Sequence, residues 1–191
     1  DIFKSLNAND LWTIIENQHS EKAELMLSKT ANKLSAYFLE KEGIDVKKEF
    51  EGNNNLVILF GLIRAKQEQQ RLQTNNSASS STSIRYSKPP SLTSRSVVTN
   101  KILPLYPTND DDLGCFMTAV NTFSGVLDLK AVWASIAAGA SPRTILALVK
   151  LVGKRVGFAI NAVFTVYNVG NCMGWWNIEP SKTKVLTIDK F

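Results

Sequence analysis

A chain of 191 residues with 44% hydrophobic and 20% charged content can bury the core of one or two domains, which excludes disorder of the whole. The net charge of +5 is uneven: Lys and Arg number 9 against 11 Asp and Glu in residues 1–70, 6 against 4 in residues 71–130, and 7 against 2 in residues 131–191. Cations spaced singly in the C-terminal third point to anionic lipid or an acidic partner rather than nucleic acid, and two cysteines exclude a disulfide-dense scaffold.

The first residue is Asp1, from which we expect a removed leader and an exported protein. Leu11, Ile14 and Ile15, then Leu25, Leu27, Leu34, Tyr37, Phe38 and Leu39, recur at helical spacing, and Gly43 suits a C-terminal cap. Ile44 to Glu51 alternates too poorly for a strand. Leu56 to Ile63 is an apolar run that could be a strand by itself. Its continuation through Arg64 to Leu72 has high helix propensity, so one helix is expected. Residues 1–72 therefore read as a helical module.

Residues 73–108 read as a linker, rich in Ser, Thr and Asn, with Pro89-Pro90 and the extended run Lys101 to Pro107. Asp110, Asp111 and Asp112 suit a helix N-terminus, and they lack the alternating spacing of a calcium loop. Helices follow over Cys115 to Ser124, Asp128 to Ala138 and Pro142 to about Val169, with Ser141-Pro142 as a start signal.

Ala131 to Asn177 contains no acidic residue, and its charges are Arg143, Lys150, Lys154 and Arg155. Arg143, Lys150 and Lys154 share a helical stripe on an otherwise apolar segment, which must pack in a bundle or enter a lipid interface. Gly153 and Gly157 permit close helix approach, and Trp175-Trp176 suit either a membrane interface or a bundle cap. Cys115 and Cys172 flank the segment and read either as one disulfide or as two buried thiols. The fold expectation is mainly α, with an apolar helical hairpin at 109–177 closed by the disulfide and a tail at 178–191.

Gly139-Ala140-Ser141-Pro142-Arg143, Val152-Gly153-Lys154-Arg155, Val156-Gly157-Phe158-Ala159 and Tyr167-Asn168-Val169-Gly170-Asn171-Cys172 together resemble the cationic, glycine-rich helical hairpins of bacteriocin-like peptides. The resemblance covers about residues 113–177 and implies permeabilisation of, or docking on, bacterial membranes.

His19 is the single histidine, in a polar stretch that suits a capping or surface role. Neither a G-x-S-x-G elbow nor a phosphate-binding glycine loop occurs in the chain. The expected function is that of a non-enzymatic, secreted, membrane-active (antimicrobial) protein that needs no cofactor, metal or small-molecule substrate. The alternative is a structural accessory subunit of a larger bacterial cell-envelope assembly. In either case Arg143, Lys150, Lys154, Arg155, Trp175 and Trp176 are the expected contacts with the anionic membrane surface or the protein partner.

Overall fold

The computed structural model describes residues 2–78, 114–120, 134, 138–152 and 159–176. Among these the chain is helical and contains no strand. The helices are α1 (Ala8–Glu16), α2 (Ser20–Glu42), α3 (Val46–Glu49), α4 (Asn54–Ala78), α5 (residues 114–120), α6 (Pro142–Val152) and α7 (Ala159–Cys172).

Short-range polar contacts fix where these helices begin and end. Asn7 Oδ1 accepts from the N–H groups of Asn9 and Asp10 at the start of α1, and Asn53 Oδ1 accepts from those of Asn55 and Leu56 at the start of α4. Gly43 closes α2 at φ +65°, a left-handed conformation that is strained for any other residue. Its N–H and that of Ile44 donate to the carbonyls of Leu39 and Phe38, both at 3.2 Å. Ser141 and Pro142 start α6 as expected, with Ser141 Oγ accepting from the Thr144 N–H at 3.2 Å. The poorly alternating stretch after Gly43 holds only the single turn α3, capped by Asp45.

The centre of the molecule is the first half of α4. Leu56 to Ile63 is one helix, and every side chain in the run is buried, so this segment is apolar around its whole circumference. Such a helix must be covered on all sides, and α2, α3, α6 and α7 pack against it. α4 continues to Ala78, six residues past the boundary expected at residue 72. α2 contributes a stripe of Ala23, Leu27, Thr30, Ala31, Leu34 and Phe38. Leu25 and Leu39, expected on that apolar face, are instead 56% and 55% exposed.

The C-terminal helices close the same core. α7 lies against α1, α2 and α4 and buries Ala162, Val163, Thr165, Val166, Tyr167, Val169 and Gly170; α6 packs Ile145, Leu146 and Val149 inward. Residues 1–72 and the hairpin expected at 109–177 thus share one hydrophobic cluster instead of forming two separate cores. The physical reason is mutual: the first half of α4 has no polar side to turn to water, and α7 has half of its residues buried and needs a surface to cover them. The disulfide Cys115–Cys172 joins α5 to the end of α7, with Cα atoms 5.7 Å apart, and α5 adds Phe116, Ala119 and Val120 to the cluster.

Several expected features lie outside the described residues: the linker beyond residue 78, Lys101 to Pro107, Asp110 to Asp112, the Gly153/Gly157 pair and the tail 178–191. The helix expected over Asp128 to Ala138 does so too, apart from Ala134 and Ala138, of which the Ala138 N–H donates to the Ala134 carbonyl at 2.9 Å.

The disulfide closes a separation of 57 residues. Its loss removes a restriction on the unfolded chain worth roughly 4 kcal/mol on the loop-entropy account. Urea unfolding of the reduced chain, or of a Cys115→Ser/Cys172→Ser variant, is expected to show a much lower midpoint with native helix content retained in buffer. Equal midpoints for the oxidised and reduced chains would show that the two cysteines are not paired in solution.

Candidate functional site

The residues expected to carry function separate into two places. Arg143 is exposed in the first turn of α6, and Lys150, two turns on, is exposed and forms an ion pair with Glu49 of α3. Lys154 and Arg155 lie outside the described residues. The apolar circumference expected around this stripe is only partly open: Ile145, Leu146 and Val149 face the core, while Leu151 is 77% exposed.

Trp175 and Trp176 are half-buried against the core at the end of α7. Gly174, at φ +64°, reverses the chain so that the Trp175 N–H donates to the Gly170 carbonyl at 2.9 Å. The Trp175 ring then stacks on Phe3, with centroids 5.2 Å apart and planes 5° apart. Trp176 lies over Gly170, where an added Cβ would stand 1.9 Å from a ring carbon. Its ring also lies 6.4 Å from that of Tyr167. The pair therefore ties the last turn of α7 to the N-terminal segment.

Beside this tie lies a groove of about 400 Å³ between the N-terminal segment, α2, α4 and the turn after α7. Phe3, Leu34, Phe38, Gly61 and Met173 give it an apolar floor, and Tyr37 and Leu72, both partly exposed, stand at its rim. Arg64 and Glu42 form an ion pair in its wall, with side chains 20% and 17% exposed. Arg64 also donates to Gln67 Oε1, and Gln67 Nε2 in turn donates to the Ala140 carbonyl at 2.9 Å, which links α4 to the start of α6. Arg64 Nε and Glu42 Oε2 are buried and have no hydrogen-bond partner among the described residues. Farther along α4, the hydrogen bond from Arg71 holds the Glu68 carboxyl below its ordinary range. The stabilisation from that lowered value is present at neutral pH and is lost as pH falls through it. It is small, because both side chains are more than half exposed.

Sequence reading missed this groove because Phe3 and Trp175 meet across nearly the whole chain. One local signal was available: Arg64 is the first charge after an eight-residue apolar run, a position where a cation needs a partner. His19 is exposed at the N-cap position of α2, and its side chain makes no capping bond there. Among the described residues no three His, Cys, Asp or Glu side chains gather as a metal site, and no helix is long and apolar enough to cross a membrane. No protein-family model, curated protein or solved structure matches this chain.

Gly170→Ala forces the Trp176 ring off α7. Overpacking of this kind costs about 1–3 kcal/mol, against about 1 kcal/mol gained from alanine's helix propensity. The expected outcome is a net loss of stability and a more solvent-accessible tryptophan in acrylamide quenching, whereas Gly170→Ala in a Trp176→Phe background changes quenching little. Unchanged quenching in the single variant would mean that the ring does not sit on Gly170.

Proposed function

We propose that this protein is a non-enzymatic accessory subunit, acting by contact with a protein partner in a larger assembly at a bacterial cell envelope. The observation that carries this reading is the position of α7. This helix of the cationic C-terminal segment is covered by α1, α2 and α4 and fixed at its end by the Cys115–Cys172 bond and by Trp175 and Trp176. A helix held in that way contributes shape and rigidity, and freeing it for lipid insertion requires taking the core apart. The disulfide suits an oxidising compartment, which supports export. The groove with Tyr37 and Leu72 at its rim is a concave surface with an apolar floor, of a size that takes one or two side chains of a partner.

The membrane-permeabilising alternative draws support from the outer side of α6, where the exposed Leu151 adjoins Lys150. The two readings differ in one measurement. The intact oxidised chain is expected to release no more dye from anionic vesicles than buffer does, and cross-linking in its native envelope is expected to carry it into a defined larger species that Tyr37→Asp/Leu72→Asp abolishes. Dye release by the oxidised chain would reverse the ranking.

A further inference from the structure

Five large apolar side chains are exposed among the described residues, and three of them, Leu25, Leu39 and Leu151, lie on α2 and α6, the two helices that α3 connects. Leu25, Asn32 and Leu39 follow one another at seven-residue intervals and form one line along the outer side of α2. Lys22, Lys29 and Lys33, at spacings of seven and four, form the adjacent line, all exposed. Asn32 marks where α3 meets this side of α2, because its Oδ1 accepts from Lys47 Nζ at 2.6 Å. In the single turn of α3, Val46 is buried, Lys47 reaches α2, Glu49 pairs with Lys150 of α6, and Lys48 is left exposed on the side opposite Val46. α3 thus bridges α2 to α6, which adds Lys150, Leu151 and, about 10 Å before Lys150 along the helix, Arg143.

The charge balance on this face favours cations. Lys22, Lys29, Lys33, Lys48 and Arg143 carry no ion pair among the described residues. Opposing them are Glu21, exposed one turn before Leu25 on the leucine line, Asp45, which caps α3, Glu49, which Lys150 engages, and Glu40, which pairs with Lys41 at the end of the lysine line. The leucines do not form one contiguous patch: Leu25 and Leu39 stand about 21 Å apart along α2 with polar side chains between them. A protein interface concentrates its apolar residues in a desolvated centre. Scattered single leucines between lysines fit a bilayer surface, where each leucine enters the headgroup boundary on its own and the lysines meet lipid phosphates.

We infer that the face formed by α2, α3 and α6 docks on an anionic lipid bilayer, with Leu25, Leu39 and Leu151 entering the headgroup boundary and Lys22, Lys29, Lys33, Lys48 and Arg143 meeting its phosphates. The contact is peripheral and leaves the helical core intact. It therefore stands independently of the partner-binding reading above and of the groove on which that reading draws.

Sedimentation of the full oxidised chain with phosphatidylglycerol-containing vesicles, and with vesicles of pure phosphatidylcholine, tests it. Binding is expected to the anionic vesicles alone, and to weaken as salt is raised toward and beyond about 0.15 M. Lys33→Gln/Lys48→Gln is expected to lower the partition coefficient about 25-fold, at about five-fold per lysine, while Lys4→Gln/Arg71→Gln, which removes the same charge elsewhere, changes it less than two-fold. Leu151→Ser is expected to lower it about ten-fold at constant charge. Circular dichroism and the urea midpoint of each variant confirm that it folds as the parent does. Equal losses from both charge pairs would show attraction by net charge alone and overturn the assignment. Salt-sensitive binding untouched by Leu151→Ser, Leu25→Ser or Leu39→Ser would remove the leucines from it, and absence of vesicle binding with retention on an immobilised acidic polypeptide would replace the lipid with a protein partner.

Discussion

Everything in this structure follows from the need to cover α4. An eight-residue stretch buried on every side supplies a large apolar driving force, yet it cannot persist as a surface helix. α2 and α3 shelter only part of it, so the chain has to return after residue 78 and lay α6 and α7 over the rest. The disulfide, the tryptophan turn and the Gln67–Ala140 bond are secondary fastenings on an arrangement that α4 already demands.

This constraint changes what the cationic C-terminal segment means. Read alone, an apolar helix with spaced Arg and Lys could serve a bilayer or a bundle equally well. In the folded chain the apolar side of α6 is spent on α4, and Lys150 is spent on Glu49. The exposed cations and leucines that remain come largely from α2 and α3, in a region whose overall charge is negative. Net charge by segment was a poor guide here because α2 keeps Lys22, Lys29 and Lys33 in one line, with Glu21 and Glu24 off that line and Glu40 at its end paired with Lys41.

The helical class, the cap at Gly43, the start at Ser141-Pro142, the extension of Leu56 to Ile63 as helix and the pairing of the two cysteines were all legible in the sequence, since each depends on local chemistry or on a choice between two cysteines alone. The buried side of α2 was not legible. Its stripe is built from Ala23, Ala31 and Thr30 as much as from Leu27, Leu34 and Phe38, so a reading by large apolar residues gathers Leu25 and Leu39 into the core by mistake. Small residues were chosen there because α4 and α7 approach α2 closely. The groove was equally hidden, since the contact of Phe3 with Trp175 has no trace in spacing or composition.

α4 also joins two unlike environments in one continuous helix: a sealed first half, and a final stretch in which Arg71, Leu72 and Gln73 are exposed. Amides within Leu56 to Ile63 can exchange with solvent only when the whole core opens, whereas those near residue 73 need only the fraying of a helix end. One helix will therefore show a steep gradient of hydrogen-exchange protection along its length. A protease acting on the native protein would meet its first accessible helical turns at that polar end, upstream of the chain's return to the core.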